Sequence, residues 1–471
     1  MIWSRNNFRI RFAAPAFGLL LAGTVLFSCK KPEPDDPILG LLDPQEEMSG
    51  GLSTTFDFSQ NAFGQPSPLL DAKQKSDFVI GNSFFKQNWV AAPASTSTRD
   101  GLGPLFNANS CSSCHLRDGR GLTPSNENEE PVGLLFRLSA PSGATHPFYG
   151  GQLQNRALLG IQSEASVAVS YEELSGKFPD GVSYSLRKPI YTFKNATYGD
   201  ISDAAVSPRL AQQLVGMGLL EAIDERTILA ATDENDLNND GISGRPNYVK
   251  NVLTGALQIG RFGWKANQPS VQQQTAGAFL GDLGITSSLF PNEDWTPAQS
   301  LLWASLPTGG SPEINDELLS QVTFYTASLA VPARRNTEDK AVLKGKALFL
   351  QSQCAECHIP KIKTGTEGVK AFHNQTIFPY TDLLLHNMGD QLADQRQDGL
   401  ANGKEWRTPP LWGIGLAKTV NGAVFFMHDG RARTLEEAIL WHGGEAQEAK
   451  SLYMNLKRED RNLLLKFLES L

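Results

Sequence analysis

The chain has 471 residues and a formal net charge of −8. This length suggests two to four domains, and the acidic balance gives no sign of nucleic-acid binding. Apolar residues make up 40 % of the chain, which is ordinary for a soluble globular protein.

The first 28 residues predict a secretory signal. Three arginines precede an apolar run over residues 13–27, which is too short for a comfortable membrane helix. Cys29 follows the small residue Ser28, as in a lipoprotein box, so Cys29 is predicted to be the lipidated first residue. The alternative is cleavage nearby, which would leave a free thiol. Removal of residues 1–28 takes three arginines and no acid, so the net charge falls from −8 to −11.

Residues 29–65 are rich in Pro, Asp, Gly and Ser, and predict a flexible tether. Two larger units are predicted to follow, over residues 66–325 and 326–471. The first contains an insertion of mixed character at about 131–252. Within it, residues 133–138 and 167–171 resemble short strands, and residues 208–220 resemble a helix.

Two pentapeptides of the form C-x-x-C-H dominate the sequence. They comprise Cys111, Cys114 and His115 in the first unit, and Cys354, Cys357 and His358 in the second. This spacing is typical of covalent haem attachment, in which both thiols bond the porphyrin and the imidazole binds iron. A zinc site or a thiol redox pair is the alternative, but structural zinc needs a second ligand pair, and neither motif has one nearby. The sequence predicts two c-type haems.

The surroundings of the second motif predict a cytochrome c-like domain. An apolar-faced helix precedes Cys354, and another, over residues 461–468, ends the chain. The predicted fold is therefore mainly α, with two cytochrome c-like haem domains, the first carrying the long mixed α/β insertion.

The sixth position of each iron decides whether the haem relays electrons or reacts with peroxide or oxygen. His442 follows the helix start at Thr434 and shares a helical face with Leu435, Ala438 and Ile439. This spacing favours His442 as a ligand of the second haem iron. A buried histidine without a ligand role is the alternative.

A weak internal repeat predicts whether the sixth position of the first iron is filled. Ser270 and Thr434 each have Gln or Glu three positions on, a helix-start pattern, and aligning them places Ala278 opposite His442. Alanine cannot bind iron, so the first haem is predicted to be open. One helical turn after Ala278, Asp282 could shuttle protons at the open face of the first haem. Asp282 could equally be a solvent-facing acid, and His146 or Met217 could close the site.

The loop from Asp236 to Ser243 resembles the first half of a calcium loop. Asp236, Asn238 and Asp240 offer oxygen atoms at alternate positions, and Ile242 offers a backbone carbonyl. Position twelve of the pattern is Asn247 instead of a bidentate Glu, so a full EF-hand is not supported. Calcium binding and a plain Asx-rich turn both remain open.

Four further segments carry a family resemblance: RFGWKA at 261–266, DGISGR at 240–245, RTPPLWGIG at 407–415 and HDGR at 428–431. With both haem motifs, they resemble the bacterial di-haem oxidoreductase family, from about Phe78 to Leu471. This family is also labelled thiol oxidoreductase, but no cysteine beyond the motifs and Cys29 supports thiol chemistry. Its superfamily contains the di-haem cytochrome c peroxidases, the methylamine dehydrogenase maturation enzyme and the rubber oxygenases.

The resemblance implies an N-terminal haem as the reactive centre and a C-terminal haem that transfers electrons. It maps the C-terminal axial ligand onto His442, a tryptophan between the haems onto Trp264, and a distal acid only approximately near Asp282. It also implies an electron-donor protein and a small oxidant as partners. The sequence thus predicts an exported, lipid-anchored, peroxidase-like enzyme of a Gram-negative envelope. The alternatives are an oxygenase or oxidase at the same haem, and a two-haem electron carrier.

Overall fold

The computed structural model describes residues 39–471, so the predicted signal peptide and Cys29 lie outside the described residues. None of the helices found over 39–471 is both long and apolar enough to span a membrane. The α-helices are α1 Ala72–Lys86, α2 Cys111–Cys114, α3 Met217–Glu221, α4 Glu225–Leu229, α5 Val271–Leu283, α6 Pro297–Trp303, α7 Asp316–Ala327, α8 Lys340–Gln351, α9 Ala417–Asn421, α10 Leu435–Trp441, α11 Gln447–Asn455 and α12 Arg458–Ser470.

Short strands occur in both halves of the described chain, and each pairs with one partner. They are β1 Thr54–Thr55, β2 Leu105–Phe106, β3 Leu134–Ser139, β4 Arg156–Ala157, β5 Ser166–Lys177, β6 Ser183–Lys194, β7 Ala205–Leu210, β8 Tyr248–Lys250, β9 Leu257–Ile259, β10 Val331–Pro332, β11 Ile362–Lys363, β12 Thr376–Ile377, β13 Leu385–Asn387 and β14 Glu405–Arg407.

The predicted fold class is wrong. The protein is 29 % helical and 18 % strand with many small sheets, so it is not mainly α, and two cytochrome c-like domains are not evident. The physical reason is that the helices are short and long loops separate them. Backbone groups in those loops are satisfied by small strand pairs instead of by further helical turns.

The insertion has more β-structure than its sequence pattern suggested. β5 and β6 form an antiparallel hairpin of twelve residues a strand, and β3 pairs with β7. The helix predicted over 208–220 is wrong, because β7 extends to Leu210 and α3 begins only at Met217. Gly216 precedes α3 with a positive φ of 73°, which favours glycine and separates the two elements.

A similar local arrangement stands beside each haem motif. α1 packs on α7, and α8 packs on α12. A β-carbon at Gly81 in α1 or at Gly345 in α8 would collide with a backbone carbonyl of the facing helix, so glycine permits both close approaches. Each first helix also carries a phenylalanine near a motif histidine: the ring centroids of Phe85 and His115 are 6.3 Å apart, and those of Phe349 and His358 are 6.4 Å apart.

The segment predicted as a flexible tether is packed over much of its described length. Glu46 is buried, and its Oε2 lies 2.7 Å from Lys346 Nζ and 2.5 Å from Arg334 Nη1. Further on, β1 pairs in parallel with β10. Composition could not reveal this, because the two cations that pair with Glu46 lie about 300 residues away. The predicted domain boundaries stay predictions.

Candidate functional site

Each C-x-x-C-H motif lies in the wall of its own large cavity. The first cavity is lined by Cys111, Cys114 and His115. The second cavity is lined by Cys354, Cys357 and His358. Mostly apolar side chains complete the second cavity, whereas the carboxylates of Asp282 and Asp294 are among the groups that line the first. The two cavities therefore differ in the chemistry that they can support.

Both motif histidines are held in the same way. His115 Nδ1 lies 2.7 Å from the carbonyl oxygen of Gln212, and His358 Nδ1 lies 3.0 Å from that of Tyr380. A carbonyl oxygen only accepts, so each Nδ1 donates and each Nε2 keeps its lone pair for a metal. Burial lowers the pKa of His115, and it lowers that of His358 to about 4, so both imidazoles are neutral at pH 7. This is the protonation state that an axial ligand requires.

The surroundings of the four motif thiols disfavour the thiolate form. None of the cysteines among residues 39–471 forms a disulfide. Burial raises the pKa of Cys111, Cys114 and Cys354 to about 12 and also raises that of Cys357. Thiol–disulfide chemistry needs a thiolate, so these environments disfavour a thiol redox pair.

His442 lines the same cavity as His358. It caps the end of α10, and its Nδ1 lies 2.7 Å from the carbonyl of Ala438, which again leaves Nε2 free. The two imidazoles are close enough that His442 contributes, after burial, to lowering the pKa of His358. The structure thus brings together the two histidines that the sequence assigned to the second iron. Met388 and Met427 line this cavity too.

Ala278 and Asp282 line the first cavity, both from α5. Asp282 is half-buried in the cavity wall, and its Oδ1 accepts a hydrogen bond of 2.8 Å from Gln152 Nε2. Loss of solvation there raises the pKa of its carboxyl above the usual value. Met217 also lines this cavity, so it could still supply a sixth ligand. His146 is not among the lining residues; it is buried beside Tyr149, with its Nε2 3.4 Å from Asp203 Oδ1.

The sequence analysis did not identify two residues near Asp282, which are Gln152 and Arg137. Gln152 Oε1 accepts a 3.1 Å hydrogen bond from Arg137 Nη1. Arginine only donates, so this contact fixes the amide orientation and turns the Gln152 NH₂ group toward Asp282. Arg137 lines the cavity, and its buried Nε has no hydrogen-bond partner among residues 39–471. Gln152 lies 130 residues from Asp282, so no local pattern could have paired them.

Trp264 lies in the wall between the two cavities. Trp264, Arg407 and Pro410 line both. The indole is buried, and its Nε1 donates to the carbonyl of Leu210 at 2.7 Å. Arg407 Nη2 donates to Gln212 Oε1 at 3.0 Å, which connects this wall to the residue that holds His115. Trp264 thus lies between the two cavities, and its position between two haems stays a prediction.

The calcium-like loop is exposed, and its oxygen atoms are engaged by its own backbone. Asp236 Oδ1 accepts from the amide of Asp240 at 2.9 Å, and Asp240 Oδ1 accepts from the amide of Ile242 at 2.8 Å. Asn238 Oδ1 likewise accepts from the amide of Asp240. An Asx-rich turn accounts for all these contacts. Calcium binding stays a prediction.

The sequence analysis also did not identify a charged network beside the second cavity. His386 is 3 % exposed; its Nε2 lies 2.8 Å from Asp382 Oδ2, and its Nδ1 lies 2.8 Å from Glu445 Oε2 and 3.7 Å from Cys357 Sγ. Burial opposes the charged form, but hydrogen bonds to Asp382, Cys357 and Glu445 raise the pKa of His386 well above its usual value. The signal in the sequence was a histidine with an aspartate four positions earlier, which alone predicts little.

The residues present fit two haems. In each cavity, two thiols and an imidazole with a free Nε2 face the same space, which is the donor set that c-type attachment needs. In the first cavity, Arg137 Nε and Gln268 Oε1 are buried and find no hydrogen-bond partner in the described part of the chain, so a bound group could supply one.

One comparison with known proteins identifies a family for this chain. A family model described as "Di-haem oxidoreductase, putative peroxidase" matches residues 44–137 and 137–471. The chain belongs to this family. It is therefore a di-haem oxidoreductase by family, and the resemblance read from the sequence motifs is confirmed. A search of curated proteins and a search of solved structures found no match.

Proposed function

We propose that this di-haem oxidoreductase is a c-type peroxidase that reduces hydrogen peroxide at the Cys111, Cys114 and His115 site. The observation that carries the proposal is the difference between the two cavities. The second cavity is lined by His442 as well as by His358, whereas Ala278 and the half-buried acid Asp282 line the first. Two covalent haems, attached at the two motifs, complete the proposal.

A haem in the first cavity would supply the iron at which the peroxide O–O bond is cleaved. Reduction of H₂O₂ to two water molecules consumes two electrons and two protons, so the protein must deliver both. Asp282 is the proposed proton carrier: Oδ1 is held by Gln152, and Oδ2 holds and releases the proton. Arg137 offers a positive charge in the same cavity, where low polarity strengthens its effect on developing negative charge.

The second site serves electron entry. Coordination by His358 and His442 would leave no position for peroxide there and would favour electron transfer. Trp264 contributes a buried aromatic ring to the wall that the cavities share, and electrons pass this wall on the way to the first site. An electron-donor protein outside the chain supplies them. Export and a lipid anchor at Cys29 belong to the same proposal and place the enzyme in the envelope of a Gram-negative bacterium.

Low-temperature EPR of the fully oxidised protein, from a host that matures c-type haem, tests the proposal. One high-spin and one low-spin ferric signal, followed by rapid reaction with peroxide, are expected. Two low-spin signals in the oxidised protein, a remaining ferric haem that is still low-spin after one-electron reduction, and inertness to peroxide would together contradict the proposal and indicate an electron carrier. A product that forms from an organic substrate with oxygen, without peroxide, would indicate an oxygenase instead.

A further inference from the structure

The network around His386 connects three distant parts of the chain beside the second cavity. Glu445 stands at its centre: Oε2 lies 2.8 Å from His386 Nδ1, and Oε1 accepts from Ser243 Oγ at 2.7 Å and from the backbone amide of Asn387 at 2.9 Å. On the other side of the imidazole, Asp382 Oδ2 lies 2.8 Å from Nε2. Both ring nitrogens of His386 are thus held by carboxylates.

Glu445 belongs to the turn that follows His442. His442 ends α10, and two glycines, Gly443 and Gly444, separate it from Glu445. Glycine leaves a backbone more conformational freedom than any other residue, so this turn needs an external anchor to stay in one conformation. The three polar partners of Glu445 are such an anchor.

Through Asp382, the network also reaches the segment that holds the His358 imidazole. Tyr380, whose carbonyl holds His358 Nδ1, lies two residues before Asp382. The short segment from Tyr380 to His386 therefore contacts the His358 imidazole at one end. At its other end, through His386 and Glu445, it holds the turn that carries His442. Low exposure of Asp382 and His386, 4 % and 3 %, keeps water from competing for these hydrogen bonds.

We propose that His386 is a positioning residue, which bridges Asp382 and Glu445 and thereby holds His442 opposite His358. Because the inference concerns this axial pair, it rests on the proposed function. Axial ligation requires an imidazole to be fixed within a fraction of an ångström, and supporting hydrogen bonds around a metal site provide this precision. A loosened turn would let His442 leave the iron while the haem stays covalently attached.

The test uses the full-length protein with both haems attached. His386→Ala and Glu445→Ala should each remove the low-spin EPR signal of the second haem, replace it with a high-spin signal, and raise the midpoint potential of that haem. Added imidazole should restore the low-spin signal. Haem content should stay at the wild-type value, because Cys354 and Cys357 are unchanged.

Conservative variants keep the test decisive if the alanine variants fold poorly. Glu445→Gln retains one acceptor oxygen for Ser243 Oγ and the Asn387 amide, and should keep more of the low-spin signal than Glu445→Ala, which would separate positioning from general damage. Glu437→Gln is the matched control: Glu437 lies on α10 too, but its Oε1 accepts from Arg433 Nε at 2.8 Å, away from His386. This control should leave the signal and the potential unchanged.

The proposal is overturned if folded His386→Ala and Glu445→Ala proteins keep the wild-type signal and potential while His442→Ala loses the signal. That result would leave His442 as the ligand and remove the role of His386. If His442→Ala itself changes nothing, the failure lies in the assignment of the axial ligand, and the positioning role falls with it.

Discussion

Asp282 offers the sharpest test of the proposed chemistry. Asp282→Asn changes one oxygen to nitrogen, keeps a carbonyl oxygen that can accept from Gln152, and removes the group that carries the proton. General acid–base catalysis typically contributes about 10²- to 10⁴-fold to a rate. Asp294 also lines the first cavity and is exposed, so it could supply protons more slowly. We therefore expect the rate constant for the reaction with peroxide to fall by about 100-fold, near the lower end of this range. This corresponds to about 2.7 kcal/mol in the activation free energy.

The assay is stopped-flow mixing of the half-reduced protein with hydrogen peroxide, in which the second-order rate constant is measured from pH 4 to pH 8. Asp294→Asn is the matched control and should reduce the rate constant only slightly, because this exposed acid can be replaced by water. Haem content and the EPR signals should be unchanged in both variants. Equal rate constants for wild type and Asp282→Asn would refute the assignment of Asp282 as the proton carrier.

The same substitution predicts a change in stability with a definite sign. Burial raises the pKa of Asp282 above 3.8, so the folded protein binds its proton more tightly than the unfolded chain does. The ionised carboxylate therefore destabilises the fold at neutral pH, and this penalty disappears as pH falls through the folded pKa. Asp282→Asn should raise the melting temperature at pH 7 relative to wild type, and the difference should shrink toward pH 4. A lower melting temperature for Asp282→Asn at pH 7 would contradict this electrostatic argument.

Further predictions address the other residues of the two sites. His442→Ala should convert the low-spin EPR signal to high-spin; an unchanged signal would point to Met388 or Met427, which line the same cavity. Trp264→Phe should slow electron transfer between the haems while the first peroxide reaction stays fast. The same variant should lose about 1–3 kcal/mol of unfolding free energy, because the carbonyl of Leu210 loses its buried hydrogen-bond donor. Equal turnover of Trp264→Phe and wild type with the electron-donor protein would argue against electron transfer through this ring. Cys29→Ser should move the protein from the membrane fraction to the soluble fraction, and retention in the membrane would exclude lipidation at Cys29.

Sequence reasoning was most successful where the chemistry is local. A c-type haem is attached through a contiguous pentapeptide, so both motifs could be read without a structure. His442 was found because helical periodicity places it on one face with Leu435, Ala438 and Ile439, and these residues line one cavity with His358. Ala278 and Asp282 were found through helix-start patterns, and the predicted N-caps Ser270 and Thr434 do accept from the third residues of their helices.

Properties that join distant segments could be decided only by the tertiary structure. The fold class was wrong because the short strand pairs depend on long-range partners, as in the pairing of β1 with β10. Gln152 reaches Asp282 across 130 residues, and the His386 network joins residues 243, 386 and 445. Trp264 lines both cavities, and this position depends on how distant segments fold together. The sequence by itself therefore determined which groups can hold two haems, because that information lies in local spacing. The tertiary structure decided which groups surround each haem site, because hydrogen bonds and burial depend on distance in space and not on distance along the chain.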